Sequence, residues 1–97
     1  MLLEFDPAKS AANVRQRGIG FERFADIDLE TAISVDDTRK EYGERRMRVL
    51  GRIDGQLHAA VITPRGEKIR VISLRRANAR EERAYEKECQ SARPGQS

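Results

Sequence analysis

Fifteen of the nineteen basic residues in this 97-residue chain are arginines, and their clustering points to phosphate chemistry. A guanidinium stays protonated at any working pH, and its planar fork grips two phosphate oxygens at once. Residues 45–76 hold nine bases against two acids, whereas residues 22–44 hold eight acids against three bases. Such segregation is a footprint of phosphodiester binding, because each neutralised phosphate releases counterions. The plain alternative is a solvated strand face. The densest stretch reads Arg70-Val71-Ile72-Ser73-Leu74-Arg75-Arg76. Under strict strand alternation Arg70, Leu74 and Arg76 share one face, and Ser73 and Arg75 the other. Its exit leads into a helix with Arg80 in the first turn, and a helix start offers free N–H groups and a positive dipole to an anion. Arg45, Arg46 and Arg48 add a neighbouring basic rim, and Lys9 reaches in from the first helix.

Other chemistries are short of residues. One Cys (Cys89) and one His (His58) cannot supply the three or four protein ligands of a zinc site, so no metal and no cofactor is expected. Nucleophilic catalysis with a histidine base would rest wholly on His58, which reads as a packed strand residue. Reactivity must run on Arg, Lys, Glu, Tyr or Ser. Five aromatic residues, none of them Trp, leave little for base stacking as the main mode of recognition. With no long apolar run and no basic leader, neither a membrane span nor a signal peptide is expected, and the protein reads as cytoplasmic. The length allows one small core, over residues 1–90, and excludes large cofactor-binding folds.

The elements that must position these side chains are legible. Asp6 with Pro7 starts a helix that stops at Gly18, and a short second helix covers Phe21 to Asp26. Strands follow at Thr31–Val35, Arg45–Ile53, Gln56–Thr63 and Lys68–Arg76, with Asp54-Gly55 and Pro64 to Glu67 as reversals. Asn78 and Glu81 form a capping box that leads a last helix to about Cys89, and residues 91–97 read as a loose tail. The expected class is α+β: two N-terminal helices, a four-stranded antiparallel sheet and a C-terminal helix.

Phe5-Asp6-Pro7-Ala8-Lys9, Asn13, Gly18 to Glu22, Gly43-Glu44-Arg45, Gly51-Arg52, and Arg70 to Ala77 with Glu81 and Tyr85, taken in order, resemble the BrnT family of bacterial toxins. The resemblance covers residues 4 to about 86. It implies a RelE-like fold, a ribonuclease that inhibits translation, and a cognate BrnA-type antitoxin, itself a dimeric DNA-binding protein. Contact with DNA would then be indirect, through the antitoxin, and no membrane is involved. The chain departs from the family at Gln16-Arg17-Gly18, where members often carry Lys-His-Gly, and at Arg46-Met47, where an aromatic often follows Glu-Arg. A histidine at the end of the first helix therefore plays no part here.

RNA carries its own nucleophile, the 2′-OH, so such an enzyme needs a base, an acid and positive charge rather than a metal. The expected clamp is Arg70, Arg75 and Arg80 with Arg45 beside them, and Lys9 or Glu44 assists proton transfer. Arg46, Arg48, Ser73, Arg76 and Tyr85 are expected to contact RNA, with core packing as the other role open to Tyr85. Two rival readings use the same residues: a module that binds RNA without cutting it, and a degenerate toxin that serves only as antitoxin partner.

Overall fold

The structure, a computed structural model, describes residues 1–92; the remainder of the expected tail, residues 93–97, lies outside them. Asp6 opens the first helix, α1 (Pro7–Arg17), by accepting the N–H groups of Ala8 at 2.9 Å and Lys9 at 3.4 Å. Pro7 occupies the first helical position, where its missing donor costs nothing. Gly18, at φ 77°, closes the helix by returning its N–H to the Val14 carbonyl. Phe21–Asp26 is helical as expected, in the tighter 3-10 form, and buries Phe21 and Phe24. Ser10, buried on α1, accepts the Phe21 N–H at 2.9 Å and so locks the two helices together.

The sheet has five strands and is mixed, which corrects the expectation of four antiparallel ones. They are β1 (Leu2–Glu4), β2 (Ile33–Asp36), β3 (Met47–Ile53), β4 (Gln56–Arg65) and β5 (Lys68–Arg76), in the order β1-β5-β4-β3-β2. The last four form the expected antiparallel meander. The addition is β1, which runs parallel to β5 with Leu3 opposite Ile69. Three residues are too few to show alternation, and the partner strand lies far along the chain, so no local pattern announces it. Asp54 and Gly55, at φ 51° and 79°, make the tight β3–β4 reversal in which both central residues are left-handed. The β4–β5 turn comes later than expected, because β4 continues through Pro64 to Arg65.

One irregularity decides which way the β5 arginines point. Ser73 pairs with Val61, but Val71 pairs with Ile62, so Ile72 is an extra residue in a β-bulge. Its effect is to put Val71 and Leu74, at 2 and 1 % exposure, on the same buried face. Strict alternation would have set them on opposite faces. The residue parity of the whole first half of β5 is thereby inverted, and Arg70 moves to the face that carries Ser73 and Arg75.

The buried face packs under α1 and the 3-10 helix, with Phe21, Phe24, Ile27, Val49, Ile53 and Ile62 at its centre. Gly51 has a reason to be glycine: a Cβ there would stand 2.6 Å from Ile27 Cδ1, inside contact distance. His58 is on this side too, buried, with Nδ1 donating to the Gln56 carbonyl at 2.7 Å, in keeping with a packed histidine. The last helix, α2 (Ala79–Ala92), runs past Cys89 and lies on the opposite face. Asn78 and Glu81 cap it reciprocally: Glu81 N–H donates to Asn78 Oδ1 at 2.8 Å, and Asn78 N–H to Glu81 Oε1 at 3.0 Å. No helix among the described residues is long and apolar enough to cross a membrane.

Candidate functional site

On the face opposite the core, α2 covers the sheet incompletely and leaves a groove of about 350 Å³. Alternation on β2, β3 and β4 supplies an apolar floor of Ile33, Val35, Leu50, Ala59 and Val61. Its walls are polar and mostly charged: Arg48 from β3, Ser73 and Arg75 from β5, Arg80 and Glu81 from the first turn of α2, and Arg39 from the loop before β3. Among the described residues, four guanidinium groups therefore share the groove with a single carboxylate.

Arg75 is held by that carboxylate. Its Nη1 and Nη2 donate to Glu81 Oε1 and Oε2 at 2.7 and 2.9 Å, a two-point fork. The hydrogen bonds from Arg75 hold the Glu81 carboxyl below the usual carboxylate range, helped by the capping N–H of Asn78 and by the Arg48 charge. Arg75 is raised in turn by the same bonds. The pairing leaves Arg75 Nε uncommitted among the described residues. Arg48 and Arg80 form no ion pair among the described residues and stand exposed at the groove margin. With two paired arginines, Arg39 and Arg75, and two unpaired ones around a partly apolar slot, the groove presents donors to an anionic, partly apolar ligand.

Of the expected site residues, Arg48, Ser73, Arg75 and Arg80 come together here, and the others do not. Arg70 shares the face after the bulge, but it lies at the far end of β5, roughly 16 Å from Arg75 at strand spacing, and is paired to Glu4 at 3.1 Å. Arg45 is paired with Asp36 at 3.0 Å, and Arg46 stacks on the Tyr42 ring at 4.2 Å with Glu44 at 3.6 Å. Together with Glu44 they line a separate, shallow hollow in the loop after β2, so this part of the expected rim faces elsewhere. Glu44 is further engaged by Arg65 at 3.4 Å. Lys9 is exposed on α1, on the core side of the sheet, away from the groove. Arg76 follows Leu74 onto the core side and is exposed at its end, opposite His58. Tyr85 is 3 % exposed; its hydroxyl donates to the Thr31 carbonyl at 2.9 Å and Arg52 covers its ring, so it packs α2 onto the sheet instead of facing a ligand.

Two groove residues went unnoticed in the sequence as members of a site. Glu81 reads in the sequence as a capping residue and as a candidate ion-pair partner of Arg75, Arg76 or Arg80; its place in the groove needs β5 beside the cap. Arg39 sits inside the acidic segment, where charge counting hides it; the one local hint is Asp37 two residues before it.

A family model described as the ribonuclease toxin BrnT of type II toxin-antitoxin systems matches residues 5–81. That span contains every residue lining the groove except Ala84. No curated protein matches the chain significantly. Because the family match extends over most of the sequence and takes in the arginine-walled face, the chain belongs to the BrnT family of ribonuclease toxins.

Proposed function

We propose that the groove binds single-stranded RNA and cleaves it as a metal-independent endoribonuclease of the mRNA-interferase type. The carrying observation is the convergence of Arg48, Ser73, Arg75 and Arg80 from three elements on one groove. In this reading the scissile phosphate lies against Arg75 and Arg80, with Arg48 on the facing wall. The 2′-oxygen attacks phosphorus, its proton leaves, the bond to the 5′-oxygen breaks, and that oxygen is protonated, leaving a 2′,3′-cyclic phosphate and a 5′-hydroxyl. The arginines stabilise the charge that builds on the phosphoryl oxygens, and Arg75 is oriented by Glu81 before the substrate arrives. The apolar floor supports a ribose or base without selecting one, so sequence preference is weak. A cognate BrnA-type antitoxin would neutralise the toxin by covering this basic face, and the complex would reach DNA only through the antitoxin.

The proton carrier is not Lys9 or Glu44 in this arrangement, since neither lines the groove. Among the described residues Glu81 is the only carboxylate that does, and Arg75 and the helix cap engage it. That engagement favours catalysis mainly by charge stabilisation, and it is also the observation behind a second reading, an RNA-binding module that does not cut. One experiment separates the two: purified protein is incubated with an RNA oligonucleotide and with its 2′-deoxy counterpart. Cleavage of the RNA alone supports the nuclease; equal binding with no cleavage of either supports the module. Expression without the antitoxin should arrest growth, and Arg75→Ala or Arg80→Ala should relieve the arrest.

A further inference from the structure

One arginine of the groove has no task in that scheme. Arg39 comes from the loop joining β2 and β3, not from the basic strands, yet it lines the same groove as Arg48 and Arg75. The side chain is 60 % exposed, but it is not free to wander. Asp37 holds it in a two-point fork, Nε to Oδ1 and Nη2 to Oδ2, both at 2.8 Å, and also accepts the Arg39 backbone N–H at 3.2 Å. The Asp37 side chain is only 1 % exposed, its N–H donates to the Arg46 carbonyl at 2.7 Å, and its carboxylate receives the Tyr42 hydroxyl. A buried carboxylate, tied to the start of β3 through its own backbone, thus aims an exposed guanidinium.

Fixing a long exposed side chain loses rotamer entropy, so an arrangement of this kind needs a compensating gain. The nearest one is electrostatic. Arg39 and Arg75 are each backed by their own acid, Asp37 and Glu81, and the charge of Arg39 is felt at Arg75. Their acids offset much of the repulsion between the two cations, and an anion entering between them would be attracted by both. The Arg39 Nη1 group is unbonded among the described residues and remains available to that anion.

Resting on the groove as the RNA site, we propose that Arg39 is a second phosphate clamp and Asp37 its positioning residue, so that the protein grips two successive phosphates of a single strand: one at Arg75 and Arg80, its neighbour at Arg39. The loop before β3 then sets strand register, and cleavage requires a phosphate adjacent to the scissile one.

The test uses a short single-stranded deoxyoligonucleotide, which binds but carries no 2′-OH, titrated by fluorescence anisotropy over a range of salt. Arg39→Ala should weaken binding about five-fold, the lower end expected for one exposed charged contact, and should flatten the slope of log K against log salt by about 0.7. Arg39→Lys should restore the slope but only part of the affinity, because the ammonium cannot use the fork. Asp37→Asn still accepts the Arg39 N–H and should keep the slope while weakening binding, since the charge remains and its aim is lost. Should Arg39→Ala leave Asp37 stranded and unfold the loop, Arg39→Ala/Asp37→Asn removes both charges and must show the same flattened slope. An unchanged slope in the Arg39 variants beside a flattened one in Arg75→Ala overturns the second clamp alone. Unchanged slopes in all of them overturn the groove as the RNA surface, and the second clamp with it.

Discussion

Replacing Arg75 with alanine should separate stability from activity by a wide margin. In the folded protein its side chain and that of Glu81 are 36 and 25 % exposed, so the pair is screened and contributes at most about 1 kcal/mol. Glu81 keeps the Asn78 N–H at 3.0 Å and the cap on its own N–H at 2.8 Å, so α2 retains its start. A loss of about 1 kcal/mol lowers the melting temperature of a domain this size by about 4–8 °C. The effect on cleavage is of another order. Removing one preoriented donor to a developing oxyanion costs about 2.7–4 kcal/mol, which is roughly a hundred- to a thousand-fold in rate. The assay is cleavage of a defined RNA by purified protein, with thermal melting of the same sample as the control for folding. The double variant Arg75→Ala/Glu81→Gln sharpens it: the amide oxygen of the substituted side chain still accepts the Asn78 N–H, and no stranded carboxylate is left, so the melting temperature recovers while the rate does not. A rate within about tenfold of the parent, equivalent to under about 1.4 kcal/mol, would refute the assignment of Arg75 to the reacting phosphate.

Acid should destabilise the protein in a defined window. Hydrogen bonds from Arg39 and Arg75 hold the Asp37 and Glu81 carboxyls below their usual range. Their contribution is therefore complete above the unfolded value of about 4 and is lost as pH falls through the lower folded values. Denaturation midpoints measured between neutral pH and the acid limit should fall only below that point, and Asp37→Asn/Glu81→Gln should flatten the curve; a parent that gains stability on acidification contradicts the pairing. Ser10→Ala leaves the buried Phe21 N–H without its acceptor and should cost about 1–3 kcal/mol in urea unfolding with no change in the cleavage rate of the folded protein. Lys9→Ala and Glu44→Gln should cleave RNA at the parental rate, since neither side chain lines the groove; a hundred-fold loss in either would return the proton transfer to them.

What could be read from the residues was whatever is decided locally. The Asp6-Pro7 start and Gly18 stop of α1, the Asp54-Gly55 reversal and the Asn78–Glu81 cap each depend on a few neighbouring residues, and each is found where the sequence places it. Four strands were visible because alternation and turn residues recur from about residue 31 to residue 76. The basic character of the later strands was also legible, since charge is counted and not folded.

Where those charges point depended on contacts between residues distant in the chain. A single bulge at Ile72, set by the need to bury both Val71 and Leu74 against the same core, reverses the face on which Arg70 stands. The pairing of β1 with β5 then gives Arg70 a carboxylate, Glu4, and retires it from the groove. Sequence determined that the later strands of this protein would be crowded with arginines. Tertiary structure chose among them, selecting Arg48, Arg75 and Arg80 and adding Arg39 from an acidic segment, because side-chain direction follows from strand register and packing, which no local pattern encodes.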